Sequence, residues 1–137
     1  MKKINCILLI DDNPADNEFH TIKIKKADVC NHIKIATDGI KALEYIKNSA
    51  IPGQENEFPK ANLIFLDINM PRMNGFEFMM EYEKLDEQIK ATIVIVMLTT
   101  SINLNDMKMA MDNKEIIEFR NKPLTVEMIY EIIEKYF

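Results

Sequence analysis

Acidic residues stand at the ends of two strongly apolar runs in this chain. The run "CILLI" is followed directly by Asp11 and Asp12, and a later run, "ANLIFLD", ends in Asp67. Two carboxylates about 4 Å apart repel by about 4 kcal/mol at an effective dielectric constant of about 20, so a group of three requires a proton or a cation. An all-oxygen donor set suits Mg²⁺, and no Cys/His spacing suggests zinc. If these acids converge, the sequence predicts a magnesium site.

A hydroxyl and an amine follow two further strand-like segments. Thr99 comes directly after the run "ATIVIVML", and Lys122 lies shortly after the segment "EIIEF". A magnesium cluster with a hydroxyl on one side and an ammonium on the other describes a receptacle for a phosphoryl group. Asp67, alone at the end of its strand, is the expected nucleophile, because the acidic pair would hold the metal. Each of these residues alone is ordinary, and it is the combination that indicates a site.

Strand-like and helix-like patterns alternate along the chain. Five strands are expected, at "NCILLI", "HIKIA", "ANLIFLD", "ATIVIVML" and "EIIEF". Five helices are expected between and after them: Pro14–Lys26, a helix capped by Asp38, "GFEFMMEYEKL", "NDMKMAMD" and a last helix capped by Thr125. This alternation predicts an α/β fold with a parallel sheet between two helical layers. Ligands of such sheets bind beyond the carboxyl ends of the strands, where the strand order reverses. In the order 2-1-3-4-5, the acids would meet there.

Length and composition bound the remaining possibilities. At 137 residues with 47% hydrophobic residues, the chain is expected to be one domain, 1–137, without an output domain. A formal net charge of −5 argues against nucleic acid, and no apolar run approaches the length of a membrane span. Cys6 and Cys30 suit a reducing cytosol without a disulfide, which predicts a cytoplasmic protein. Residues 48–61 are expected to form a long surface loop.

The motifs resemble a known family. The acidic pair, "LDINMPRMNG", "LTTS" and "NKPL" are similar to the response-regulator receiver domain (CheY-like) of bacterial two-component signalling, and the resemblance spans Ile4–Phe137. It implies the flavodoxin-like doubly wound (βα)5 fold with strand order 2-1-3-4-5, an order for which CheY itself is a standard example. It further implies that Asp67 accepts a phosphoryl group from the phosphohistidine of a sensor histidine kinase.

The resemblance also implies roles for the other site residues. Asp12, Asp67 and the backbone carbonyl of Asn69 would bind Mg²⁺, with Asp11 close to it. The phosphoryl oxygens would be contacted by Thr99 and Lys122. Two further features complete the set: Phe119 aligns with the family's switch aromatic, and the Lys122–Pro123 bond is expected to be cis. Departures from the family pattern are Asn69 and Thr100, expected to influence phosphoaspartate hydrolysis, and Phe119, which lacks the hydroxyl of a tyrosine.

Partners follow from the same resemblance. The "MPRMNG" segment and the long loop look most like stand-alone receivers that serve cyanobacterial-type phytochrome kinases. Output is expected through a downstream protein, through onward phosphotransfer, or through a homodimer formed by the helix after strand four, strand five and the last helix. The protein would be a switch and not an enzyme.

Three other functions remain open at this point. A haloacid-dehalogenase-type phosphatase also uses a strand-end Asp and Mg²⁺, but it needs a second acid where this chain has Asn69. A flavin-binding electron carrier would need a hydroxyl- and glycine-rich phosphate loop in place of "DDNPAD". An inactive pseudo-receiver scaffold is disfavoured by the intact set of polar residues.

Overall fold

A single parallel sheet forms the centre of the molecule. The computed structural model describes residues 3–100 and 103–137. Its sheet has five strands in the order β2-β1-β3-β4-β5, which confirms the predicted fold class and strand order. The strands are β1 (Ile4–Ile10), β2 (Cys30–Ala36), β3 (Leu63–Asp67), β4 (Val94–Thr99) and β5 (Ile116–Asn121).

Helices connect the strands on both faces of the sheet. Within the described ranges they are α1 (Pro14–Ala27), α2 (Gly39–Ser49), α3 (Gly75–Tyr82), α4 (Glu87–Lys90), α5 (Leu104–Asp112) and α6 (Val126–Tyr136). The predicted caps are present, since Asp38 accepts from the backbone N–H of Lys41 and Thr125 from that of Met128. The one-turn helix α4 was not predicted. The third predicted helix ends earlier than expected, and Asp86 caps a separate turn.

The sheet is covered by two hydrophobic clusters, one on each face. Leu66, Phe78 and Met97 belong to the cluster under α2, α3 and α5. The opposite cluster includes Phe65 and Ile132, and it lies under α1 and α6. Every residue of β3 is buried, as expected for a central strand that is covered on both sides.

The face that α1 buries differs from the apolar pattern of its sequence. Phe19 and Ile22 are 41% and 55% exposed, whereas Asn17 and His20 are buried beside Ile24. His20 therefore lies on the buried face of α1, where a histidine in a helix of this composition would be expected at the surface. The polar residues are buried because this side of α1 faces the end of the sheet where the acidic residues lie, as the contact of Asn17 with the Asp11 backbone shows.

The connection between α2 and β3 is long and packed at one end. It covers residues 50–62, because Asn48 and Ser49 belong to α2 and not to the loop as predicted. The Tyr45 hydroxyl donates a 2.6 Å hydrogen bond to the Pro59 carbonyl, and its ring meets Phe58 edge-on. The loop is therefore anchored on α2 close to its return into β3.

Two smaller predictions concern the cysteines and membrane spans. Both Cys6 and Cys30 are free thiols, as predicted, and Cys6 is fully buried in β1. Across the described residues, helices that combine the length and the apolar character needed to cross a bilayer are absent.

Candidate functional site

The three strand-end acids lie together at the carboxyl edge of the sheet. Parallel pairing of β1 with β3 sets Ile10 level with Leu66, so Asp11 and Asp67 leave the sheet side by side. Each of Asp11, Asp12 and Asp67 offers an oxygen within 4.8 Å of the others. Asp11 and Asp67 are 4% and 6% exposed, and Asp12 faces solvent. The cluster therefore has a buried floor and an open side.

Lys122 reaches into this cluster from the loop after β5. Its ammonium lies 2.7 Å from Asp11 Oδ2, 2.9 Å from Asp16 Oδ2 and 3.1 Å from Asp67 Oδ1. Burial alone would lower the pKa of Lys122, but the hydrogen bonds to Asp11 and Asp16 outweigh it and raise the pKa above its ordinary value. Lys122 is therefore a fixed positive charge at the site.

One ammonium does not compensate the acids around Asp67. Burial and the repulsion of Asp11 together raise the pKa of Asp67 to about 6, although Lys122 acts in the opposite direction. Ionised Asp67 is therefore costly near neutral pH, and a second positive charge would relieve the repulsion. The donors are all oxygens, with one open side for water. These residues fit Mg²⁺, which prefers a few carboxylates together with several waters.

Hydroxyl and amide groups border the acids. Thr99, buried at the end of β4, accepts a 2.7 Å hydrogen bond from the Lys122 backbone N–H at its carbonyl oxygen. Asn69 and Thr100 line an open cleft of about 420 Å³ together with the acids and Lys122. Ser101, the last residue of the "LTTS" motif, lies outside the described residues. The cleft has room for a small polar ligand above Asp67.

The remaining predicted residues lie on β5 and in the loop after it. Phe119 is half-buried and level with Met97 of β4, packed against the core cluster under α5. The Lys122–Pro123 peptide bond is cis. Phe119 does not line the cleft, so any part in switching would be exerted through packing.

A close backbone approach supports Asp67 from the side of α3. Gly75 donates a 2.7 Å hydrogen bond to the carbonyl of Ile68, and a β-carbon at this position would lie 2.7 Å from the Asp67 carbonyl oxygen. Any larger residue would push α3 away from the end of β3. The close packing at this point therefore explains why the "MPRMNG" motif ends in a glycine.

Two polar residues of α1 belong to the site but were not predicted from the sequence. Asn17 donates from Nδ2 to the Asp11 carbonyl oxygen at 2.8 Å, and Asp16 contacts Lys122. Their positions in the sequence could have indicated that they lie at the site. An acid in the first turn of a helix that follows the acidic pair must lie at the same edge of the sheet. Asn17 and His20 also break the apolar pattern on the face that α1 buries.

Comparisons with known proteins agree with this geometry. The family model of the response regulator receiver domain matches residues 7–134. The response regulator Rcp1 of Synechocystis sp. is 33% identical over 101 residues, which cover 74% of this chain and 65% of Rcp1. A two-component response regulator from Cytophaga hutchinsonii superposes with a TM-score of 0.87 at 25% identity, covering 98% of each chain. The bacteriophytochrome response regulator AtBRR gives a TM-score of 0.76 at 26% identity, covering 98% of this chain and 93% of its own.

Proposed function

Because the chain belongs to the response-regulator receiver family, as a receiver domain of two-component signalling, we propose that Asp67 is its phosphoacceptor and that the reaction requires Mg²⁺. The observation that carries this proposal is the contact of a single buried ammonium, Lys122, with both Asp11 and Asp67 beside the open cleft. Such an arrangement presents a carboxylate nucleophile next to a fixed cation, at the edge of the sheet where ligands of this fold bind.

In the proposed transfer, one bond to phosphorus forms as another breaks. A carboxylate oxygen of Asp67 forms a bond to phosphorus while the bond from phosphorus to the donor's imidazole nitrogen breaks, and the histidine leaves. Lys122 and the Thr99 hydroxyl would donate to phosphoryl oxygens as charge develops on them. When bound by Asp12, Asp67 and the Asn69 backbone carbonyl, with Asp11 close by, Mg²⁺ would neutralise part of that charge. The buried floor keeps these groups in place before the donor arrives.

Phosphorylation is proposed to act as a switch and not as a step of an enzyme's turnover. A phosphoryl group brings about −1.5 to −2 charges and strong acceptors to the site. Thr99 would be drawn toward it, and Phe119, on the neighbouring strand, would repack. The affected surface would be the face of α5, β5 and α6, which exposes Met111 and Ile117. A downstream protein, a phosphotransfer protein or a second copy of the chain would bind there.

The proposed phosphodonor is a sensor histidine kinase. More specifically, we propose a kinase of the phytochrome type. The likeness to the response regulator Rcp1 supports a sensor kinase as donor, and the likeness to the bacteriophytochrome response regulator AtBRR supports the phytochrome type. The acidic composition supports a protein partner and not nucleic acid, and the setting is proposed to be the cytoplasm.

Intact-mass spectrometry after incubation with Mg²⁺ and an acyl phosphate tests the proposal. We expect one labile phosphoryl adduct on the wild-type chain, none with excess chelator, and none on Asp67→Asn. Asp112→Asn is a matched control, because Asp112 is exposed on α5 and far from the cleft in the fold. It should take up the label as the wild type does.

The intact-mass result and two further measurements on the same purified protein distinguish the alternative functions. An unlabelled wild-type protein would favour the pseudo-receiver scaffold and refute the proposal. Sustained release of phosphate from unrelated phosphomonoesters would favour the phosphatase. A purified protein with the absorption of a bound flavin would favour the electron carrier.

A further inference from the structure

We propose that Asp16 is a positioning residue for Lys122, holding its ammonium in contact with Asp67. This inference rests on the proposed function, because it concerns how the phosphoryl-accepting site is prepared. It starts from a contact that none of the family motifs contains. The Asp16 carboxylate, in the first turn of α1, lies 2.9 Å from Lys122 Nζ.

The three acceptors of the ammonium come from three different parts of the fold. Asp11 ends β1, Asp16 lies on α1 and Asp67 ends β3, at 2.7, 2.9 and 3.1 Å from Nζ respectively. The ammonium donates hydrogen bonds to Asp11 and Asp16 and forms an ion pair with Asp67. The two hydrogen-bonded acids are groups that the proposed reaction does not modify. Together they hold the ammonium beside Asp67.

Asp16 itself is held rigidly enough to serve this purpose. Its backbone N–H donates to Oδ1 of Asn13, the residue that caps α1, at 3.1 Å. Pro14 at the start of the helix restricts the backbone in the same turn. The Asp16 side chain is about one-third exposed, so its contact with Lys122 is not forced by burial. The helix cap therefore fixes the backbone from which the Asp16 carboxylate reaches Lys122.

The consequence for phosphoryl transfer is preorganisation. On phosphorylation the carboxylate oxygen of Asp67 nearest Lys122 gives way to a phosphoryl oxygen, while Asp11 and Asp16 keep their bonds. The Lys122 side chain is then already in the rotamer that contacts the phosphoryl group as charge develops there. Because lysine is long and flexible, this restraint removes an entropy cost from the transfer step. Without Asp16, Asp11 at the end of β1 would be the one unmodified acid left to hold the ammonium.

The first test compares phosphorylation rates with an acyl phosphate and saturating Mg²⁺. Asp16→Ala is expected to slow adduct formation about three- to tenfold. Asp16→Ser, whose hydroxyl is too short to reach Lys122, should behave in the same way, so a folding failure of one variant leaves the other. Asp16→Asn keeps an acceptor oxygen and should recover most of the rate. Glu18→Ala removes a charge from the exposed side of the same helix and should leave the rate unchanged.

A second comparison asks whether the effect acts through Lys122. In a Lys122→Met background, Asp16→Ala should cause no further loss of rate, because there is no ammonium left to position. The same slowing in both backgrounds would overturn the inference, as would a wild-type rate for both Asp16→Ala and Asp16→Ser.

A metal-free readout keeps this inference separate from the proposed function. Acylation of Lys122 by an amine-reactive reagent, followed by peptide mass spectrometry in chelator, reports how often the amine leaves its acceptors. It should be faster in Asp16→Ala than in the wild type and unchanged in Glu18→Ala. Equal labelling would refute the positioning role even if the wild type is phosphorylated. A wild type that is never phosphorylated would refute the proposed function, and faster labelling in Asp16→Ala would still support the anchoring.

Discussion

Replacing the central carboxylate should make the metal-free protein more stable. Burial and the neighbouring Asp11 raise the pKa of Asp67 from its ordinary 3.8 to about 6, so the folded protein holds an ionised Asp67 at a cost. Each pKa unit is worth about 1.36 kcal/mol, and the rise therefore corresponds to about 3 kcal/mol at pH 7.5. Asp67→Asn removes that charge with little change of shape. We expect it to raise the free energy of unfolding by about 1–3 kcal/mol in chelator.

The pH dependence of this gain follows from the sign of the shift. Asp67 binds a proton more tightly in the folded than in the unfolded chain, so its cost is fully present above about pH 6 and is lost as the pH falls toward 3.8. At pH 4.5 the advantage of Asp67→Asn should shrink to about one-third of its value at pH 7.5. Urea unfolding followed by circular dichroism at the two pH values measures both free energies.

Mg²⁺ should narrow the difference in stability between Asp67→Asn and the wild type. A ligand that binds only the folded state at ten times its dissociation constant adds about 1.4 kcal/mol, and the variant should gain less because it lacks one proposed ligand. Asp112→Asn, an exposed control, should change stability by less than about 0.5 kcal/mol at either pH. If Asp67→Asn is less stable than the wild type at pH 7.5 in chelator, or if its advantage is the same at pH 4.5, the electrostatic reasoning is wrong.

Two further predictions concern the supports of the site and of the long loop. Gly75→Ala should destabilise the protein by about 1–3 kcal/mol in urea unfolding and slow phosphorylation, because the added β-carbon would lie 2.7 Å from the Asp67 carbonyl oxygen; an unchanged unfolding midpoint would contradict this. Tyr45→Phe should cost about 1 kcal/mol and speed proteolysis near Gly53, because the 2.6 Å hydrogen bond to the Pro59 carbonyl is lost. Cleavage at the wild-type rate would show that the hydrogen bond does not anchor the loop.

The sheet was the most predictable part of the fold. Continuous apolar runs are required of strands that are covered on both sides, and β1, β3 and β4 all come from such runs. The strand order followed from the resemblance to a family and not from the pattern of residues. Placing the acids at one edge then needed only the polarity of a parallel sheet.

The helices were less predictable, because their buried faces depend on what they cover. Phe19 and Ile22 recur at helical spacing and indicate a helix correctly, yet both are exposed, while Asn17 is buried against the acidic turn. The third predicted helix ran on to Leu85 because "EKL" continues a helical composition past Tyr82, and the separate turn capped by Asp86 was missed.

The site residues that follow strands were predicted, and those that lie on a helix were missed. Asp11, Asp67 and Lys122 stand at strand ends, and their convergence followed from topology. Asp16 contacts Lys122 from α1, at 2.9 Å. To predict the role of Asp16, one must know which face of α1 points toward the site. The apolar residues of α1 indicate a different face from the one that is buried.

The contact of Tyr45 with the 50–62 loop separates the exposed part of the loop around Gly53 from the packed body of the protein. Gly53 lies at positive φ in open surroundings, before the anchor and at the opposite edge of the sheet from Asp67. Exposed tips of this kind are where inserted sequence is best tolerated. A fluorescent reporter or affinity handle spliced in at Gly53 would therefore leave both the cleft and the α5-β5-α6 face unobstructed for capturing partners.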